Sequence, residues 1–376
     1  MKIARLADLA DPAACPLLVV KVGSSLLVDR QGVRRNWLEG LVAEIAEART
    51  RGQAVIVVSS GAIALGAAKL GLAKGGRGSL ADAQAAAAVG QIALSGLWAD
   101  LLGAHGLTAA QLLLTLEDLE DRRRYLNATA TLTRLLDAGA VPVINENDSV
   151  ATQEIRFGDN DRLAARVAQA ARASAVLLLS DVDGLFDRNP VEPGAKLLPE
   201  VRGVTAEVHA MASGGSSSGM GSGGMTSKLQ AAEIAERAGI ALAIASGLHD
   251  APIARATAKG IGTLFLARRK DGGRKAWLGG RLRLKGALVV DAGAAKALSQ
   301  GSSLLAAGIT AVEGDFHRGD AVAVRGLDGA TVAHGLAEYD ARDCALLIGR
   351  KSADHAAILG YAPRSAVVHR DQLVLL

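Results

Sequence analysis

Five short segments combine residue types that could handle a phosphate or an amino acid. Lys21-Val22-Gly23-Ser24-Ser25 ends a β-branched apolar run with a lysine and continues with small residues. The glycine lets backbone N–H groups approach oxygen atoms and the ammonium adds charge, so the segment suits an anion. A surface lysine beside an ordinary turn explains the same letters. Ser59-Ser60-Gly61-Ala62 follows a second apolar run, 54–58. Small residues opening a helix would turn its first N–H groups toward a carboxylate or phosphate. An N-cap accounts for one of these serines but less well for two. Ile144-Asn145-Glu146-Asn147-Asp148 sets four polar side chains after an apolar run at 141–144, and Gly158-Asp159-Asn160-Asp161 opens a helical stretch. One of these acids serves as an ordinary helix-start charge. Two acidic-amide clusters so close together could also hold a substrate amine, or Mg²⁺ through waters. Charge alone does not choose between these roles.

The fifth segment, Gly223-Gly224-Met225-Thr226-Ser227-Lys228, closes a Gly/Ser tract at 213–224 and starts a helical pattern. Glycine N–H groups, two hydroxyls, a helix start and a lysine are what a phosphate site requires. It is not a Walker A motif, because Leu229 follows Lys228. Residues 219–224 also spell G-x-G-x-x-G, but no clear strand precedes them. The next strand ends at Ala245-Ser246 without an acid for a ribose, which argues against a dinucleotide.

The elements that must position these segments alternate. Strands are expected over 17–22, 54–58, 141–144, 175–179 and 240–245. Helices are expected around Leu38 to Ile45 and over 81–102, 125–136, 161–173 and 227–238. That alternation implies a mainly parallel sheet covered on both faces, with ligands beyond the carboxyl ends of its strands. The basic, glycine-rich stretch 268–285 breaks the pattern. Beyond it, short strands at 287–290, 321–324 and 331–336 and one helix at 292–298 suggest a small, mostly β unit, a barrel in form. We therefore expect a unit over 1–268, a linker over 269–284 and a second unit over 285–376.

Composition narrows the classes. A chain of 376 residues that is 50% hydrophobic and 21% charged has material for two or three cores and is not a disordered chain. Net charge is only +4 with no basic block, unlike a dedicated nucleic-acid binder. Cys15 and Cys344 form neither a disulfide framework nor a ligand pair, and the seven histidines are scattered. No run of about 18 apolar residues lacks charges and no leader is evident, so a cytoplasmic protein without a membrane span is expected.

Taken in order, Lys21-Val22-Gly23-Ser24, VVSSGAIALG (57–66), VINENDSVA (143–151), FGDND (157–161), LLLSDVDGLF (177–186) and SGGMTSKLQAA (222–232) resemble the glutamate 5-kinases of the amino-acid kinase superfamily. The resemblance covers residue 16 to about 267. The tail, with GSSLL (301–305), GDFHRGDAV (314–322), AHG (333–335), ILGY (358–361) and VVHRD (367–371), is similar to the PUA domain that many bacterial members carry. The fold implied is a three-layer αβα sandwich with a mainly parallel sheet, plus a PUA-like barrel. Ser222 stands where Thr is more usual, Thr226-Ser227 where Ser-Thr or Thr-Thr is common, and Phe186 where Tyr is common. These swaps keep the hydroxyls and the ring.

The activity implied is transfer of the ATP γ-phosphate to the side-chain carboxylate of L-glutamate, the first step of proline synthesis, with ATP and Mg²⁺ as cofactors. By the same resemblance Lys21 contacts the ATP phosphates, while Ser60, Asp148 and Asn160 hold glutamate. Asp161 lies near the reaction centre as an organiser of the lysines or the metal, and Lys21, Lys228 and Asp161 form the catalytic set. Ser180 and Asp181 lie near the nucleotide. Ser222, Gly223, Gly224, Met225, Thr226, Ser227 and Lys228 form the loop that meets ATP. No protein ligand to a metal is assigned. A homo-oligomer and feedback inhibition by proline are implied as well. Other readings are a different amino-acid kinase, such as acetylglutamate kinase, or RNA binding through the PUA-like tail. The tail's few aromatics, Phe316, Tyr339 and Tyr361, offer little for stacking on bases.

Overall fold

In the computed structural model the chain divides into two units, residues 1–270 and 271–376. The structure describes residues 3–29, 32–150, 159–212, 224–267, 284–361 and 364–375.

The first unit is built on an 8-stranded sheet. Its elements in chain order are β1 (Leu17–Val22), α1 (Arg35–Thr50), β2 (Ala54–Ser59), α2 (Ala62–Leu70), α3 (Leu80–Gly103), β3 (Ala109–Leu114), α4 (Arg122–Asp137), β4 (Val141–Glu146), α5 (Asp159–Ala171), β5 (Ala175–Ser180), β6 (Glu200–Val201), α6 (Ala206–Ala212), α7 (Met225–Ala238), β7 (Ala241–Ser246), α8 (Pro252–Lys259) and β8 (Thr263–Phe265). The sheet order is β3-β4-β2-β1-β5-β7-β8-β6. All neighbours run parallel except β8, which turns back against β7.

β1 is buried along its whole length, as a central parallel strand covered on both faces must be. Leu18, Val20 and Val22 join one core with α1 and α3, and Leu17 and Val19 join the other with α5 and α7. Alternation of side chains thus divides one strand between two cores.

Four features differ from the sequence reading. β3 is a half-buried edge strand that follows the long alanine-rich helix α3 after a short turn through Gly106, and it was not expected. β4 runs on to Glu146, so Asn145 and Glu146 belong to the strand instead of following it. α5 starts at Asp159, inside the GDND segment. β8 is antiparallel to β7, and Gly262 just before it takes φ 152°. Helix α3 has the length and apolarity of a membrane span. Its Leu94, Trp98, Leu101 and Leu102 are nonetheless packed in the core beside β1 and β2.

The second unit holds β9 (Gly286–Val290), α9 (Ala292–Ser299), β10 (Leu304–Leu305), β11 (Ile309–Gly314), β12 (Ala321–Gly326), β13 (Thr331–Leu336), α10 (Ala341–Leu346), β14 (Ala366–Val368) and β15 (Leu373–Leu375). Its main sheet runs β11-β9-β12-β13-β15, and β10 pairs with β14. Leu288, Val290, Phe316, Val322, Val324 and Val367 form a core of its own. The sequence reading found β9, β12, β13 and α9 and passed over β10, β11, α10, β14 and β15, which are short or rich in Ala and Thr.

Two glycines set the geometry beside the Ser59-Ser60-Gly61 turn. Where α2 crosses α3, a Cβ on Gly66 would lie 1.8 Å from the Ala86 carbonyl oxygen, and one on Gly90 would lie 1.8 Å from that of Ala62. Only glycine fits at either position. We expect Gly90→Ala to destabilise the protein by about 3 kcal/mol or more, since backbone and not a flexible side chain must move. Gly96→Ala on the same helix meets nothing within 4 Å and should stabilise it by about 0.5–1 kcal/mol through helix propensity. Urea midpoints of the two variants check this. Equal shifts would mean that the α2–α3 contact is not tight.

Candidate active site

The carboxyl ends of β1, β2, β4, β5 and β7 lie side by side, with Lys21 paired in register to Val58 and Leu178. Odd-numbered residues of β1 face α5 and α7, so Lys21 continues the row of Leu17 and Val19 toward those helices. There it meets Asp161 on α5 and Lys228 on α7. Asp161 is fully buried, and both lysines are 7% exposed. The Lys21 ammonium lies 2.5 Å from Asp161 Oδ1 as an ion pair. Lys228 Nζ donates to Asp161 Oδ2 at 3.2 Å, and the Ser227 hydroxyl donates to the same oxygen at 2.9 Å. One carboxylate thus ties together three elements distant in sequence.

Burial raises the Asp161 carboxyl, but Lys21 and Lys228 overcome it and hold the group below the usual carboxylate range. Burial pulls the Lys21 ammonium down against the opposing pull of Asp161, and the charge of Lys228 pulls it further down. Two ammoniums share the one carboxylate of this trio, and the charge of Asp181 also acts on Lys21. Helix α7 starts beside it with no side chain capping its first turn, Gly224 being the N-cap. Those N–H groups are a second source of positive potential.

The other side of the site is built from amides. Neither Ser59 nor Ser60 caps α2, whose N-cap is Gly61 at φ 114°. Ser59 Oγ instead accepts from Trp98 Nε1 at 2.9 Å. Ser60 is held by its backbone N–H on the Val22 carbonyl (3.1 Å), and its hydroxyl oxygen accepts from Asn160 Nδ2 at 2.9 Å. Asn160 Nδ2 also donates to Asn145 Oδ1 at 3.1 Å, which leaves Asn160 Oδ1 buried and without a partner. Asp148 is 8% exposed in a turn that the Asn147 N–H anchors to the Leu114 carbonyl of β3. A cavity of about 460 Å³ opens beside Asp148 and Glu146, and its lining contains neither lysine.

Ser180, at the end of β5, donates its hydroxyl to Asp181 at 3.0 Å. Gly224, Met225, Thr226 and Ser227 lie at the start of α7. Ser222, Gly223, Phe157 and Gly158 lie outside the described residues. Lys21, Asp161, Lys228 and Ser227 therefore come together, as do Ser60 and Asn160. Sequence reasoning missed Gln91, whose Oε1 accepts from Asn145 Nδ2 at 2.9 Å. It also missed Arg77, which places a positive charge near Asp148. Neither carries a local signal: Gln91 is one polar residue in an alanine-rich helix, and Arg77 sits in a glycine-rich turn. Burial pushes both cysteine thiols up to about 12, so neither is a nucleophile near neutral pH.

The chain matches the pattern of the amino acid kinase family over residues 16–246 and that of the PUA domain over 286–359. It is 72% identical to the glutamate 5-kinase of Novosphingobium aromaticivorans over the full length of both chains. It is 63% identical to that of Sphingopyxis alaskensis, covering 98% of this chain and 100% of the relative. Against that of Zymomonas mobilis the identity is 55%, covering 97% and 92%.

Asp161→Asn would leave two buried ammoniums without their counter-charge. We expect it to cost about 3–5 kcal/mol near neutral pH, as removal of one partner of a buried pair does. Because the folded carboxyl titrates below its ordinary value, its contribution is complete above the unfolded pKa of about 4 and is lost as pH falls through the folded pKa. Parent and variant should therefore converge in acid. Urea unfolding as a function of pH checks this. A gap below about 1 kcal/mol near neutral pH would mean that the trio does not clamp the strand end to its helices.

Proposed function

Because the chain belongs to the amino acid kinase family, on its glutamate 5-kinase branch, and carries a C-terminal PUA domain, we propose that it transfers the γ-phosphoryl group of ATP to the side-chain carboxylate of L-glutamate. The product is γ-glutamyl phosphate, at the head of proline synthesis. The observation that carries the reading is the pair of buried ammoniums held on Asp161 at the central strand end.

A glutamate side-chain carboxylate is ionised near neutral pH, so no base is needed. One of its oxygens forms a bond to the γ-phosphorus as the bond to the bridging oxygen breaks, and ADP departs. Repulsion between two anions is the obstacle, so rate comes from positioning and charge compensation. Lys21 and Lys228 supply that compensation without reorganising, since Asp161 already fixes both ammoniums. Asp161 is a poor proton acceptor here, because the lysines hold its carboxyl low.

Ser60, Asn160 and Asp148 take the amino-acid end. The unpartnered Asn160 Oδ1 and the Asp148 carboxylate suit the α-ammonium. Ser180, Asp181 and the loop from Ser222 to Lys228 take the nucleotide. Among the described residues no three His, Cys, Asp or Glu side chains form a metal cluster, and Asp161 is occupied by its lysines. Mg²⁺ would then be held by the phosphate oxygens and water, where it neutralises charge. We place the enzyme in the cytoplasm, as a homo-oligomer subject to inhibition by proline.

ADP release measured with glutamate, aspartate and N-acetylglutamate in parallel tests the substrate. Release with N-acetylglutamate but not with glutamate would overturn the reading in favour of an acetylated substrate. Asp148→Asn is expected to raise the glutamate KM by roughly 10- to 150-fold, the worth of a charge-assisted hydrogen bond, and to leave the ATP KM nearly unchanged. A selective rise in the ATP KM would move Asp148 to the nucleotide side.

We also propose that 1–268 is the catalytic unit, 269–284 a linker and 285–376 the PUA unit. The separate core of each unit supports this. Expressed alone, 1–268 should melt cooperatively and keep glutamate-dependent ADP release. A folded but inactive fragment would mean that the second unit completes the site.

A further inference from the structure

A row of side-chain amides crosses the end of the sheet. Ile144 on β4 belongs to the core of α5 and α7, and Val143 to the core of α1 and α3. Asn145 shares the parity of Val143 and so lies on the α3 side, where its Nδ2 donates to Gln91 Oε1 at 2.9 Å. Its Oδ1 accepts from Asn160 on α5, across the strand end, at 3.1 Å. Asn160 in turn donates to Ser60 Oγ at 2.9 Å.

An amide presents a donor on one side and an acceptor on the other, so each member of such a row fixes the orientation of the next. Reversing all three amides would keep every contact between them. It would turn Asn160 Nδ2 toward the side where its unpartnered Oδ1 now lies. The row therefore needs something at its far end to choose a direction. Ser95, one turn further along α3, makes that choice. Its hydroxyl has one hydrogen and two acceptors in range, the Gln91 carbonyl at 2.7 Å and Gln111 Oε1 at 2.5 Å. With its hydrogen so engaged, Ser95 Oγ faces Gln91 as an acceptor and takes Nε2 at 3.3 Å. Gln91 must then turn Oε1 to Asn145.

We propose that Gln91 is a positioning residue: it fixes the amide orientation of Asn145, and through it that of Asn160, so that Asn160 offers a carbonyl oxygen to the substrate's ammonium. This rests on the reading of Ser60, Asn160 and Asp148 as the amino-acid pocket. Without Gln91 the Asn145 and Asn160 amides can reverse together, and the reversed state turns an N–H toward a cation. Affinity for the amino acid falls, while the lysine trio and the nucleotide end are untouched.

Steady-state kinetics on the full-length chain test this. Gln91→Met removes the acceptor at similar volume and should raise the glutamate KM about 10-fold, the loss of one oriented hydrogen bond. The kcat and the ATP KM should stay within about twofold of the parent. Gln91→Glu keeps an acceptor toward Asn145 and should return the glutamate KM to within about threefold. Ser95→Ala removes the group that chooses the direction, and should raise the glutamate KM in the same selective way should Gln91→Met fail to fold. Asn160→Ala monitors the pocket itself. If Asn160→Ala raises the glutamate KM and the Gln91 and Ser95 variants do not, the row is overturned and the pocket stands. If Asn160→Ala leaves that KM unchanged, the pocket reading falls and takes this proposal with it. Loss of kcat together with a rise in both KM values in Gln91→Met, not repaired by Gln91→Glu, would assign Gln91 to folding alone and also overturn it.

Discussion

A buried carboxylate shared by two buried lysines sets the form of the first unit. Charges taken from water cost several kcal/mol each unless geometry repays them. Here Asp161 is fully enclosed, and both of its oxygens face ammoniums. The trio works only if β1, α5 and α7 meet at one point, so the central strand must carry Lys21 on the face toward those helices. The rest of the sheet supports that demand. β2 and β5 pair along both sides of β1, which holds Lys21 in register at the centre of the sheet. In the proposed reading the two ammoniums on one carboxylate would serve an anionic phosphoryl group, with Asp181 as a further negative charge acting on Lys21.

The opposite side of the site obeys a different constraint. The Ser60 turn is fixed by the glycine crossing of α2 and α3 and by Ser59 held on Trp98. These are matters of backbone approach and shape, in a region where alanine already overfills the space. The proposed amino-acid pocket would thus be held by close backbone packing and not by charges at its base. Asp148 with Arg77 near it is the point where charge returns, at the mouth of a cavity.

How much of this was legible in the sequence follows from range. The central strands were legible because full burial on two faces gives continuous apolar runs, as in β1 and β5. β3 escaped because an edge strand needs only partial burial and looks like the end of the preceding helix. Lys21, Asp161 and Lys228 were each marked by local context: a strand end, a helix start, a glycine loop. Their convergence on one carboxylate was not, since contact between segments far apart in the chain is a property of the sheet order. Gln91 and Arg77 carried no local mark at all. The N-cap explanation for the serines was equally readable and did not hold, because only the geometry at Gly61 excludes it.

The two halves of the site differ for a physical reason. Charge spread over a transferring phosphoryl group has no single direction, so point charges such as lysine ammoniums suit it and tolerate its movement. An amino acid must instead be held in one pose, and directional groups do that better than charges. An amide row supplies direction only when something sets its polarity, since the reversed row is isoenergetic in its own contacts. The burial that makes each of these hydrogen bonds strong also makes an incorrectly turned amide costly. In the proposed reading, a helix outside the reaction centre would set what the pocket recognises, through a Ser95 hydroxyl whose single hydrogen is already engaged.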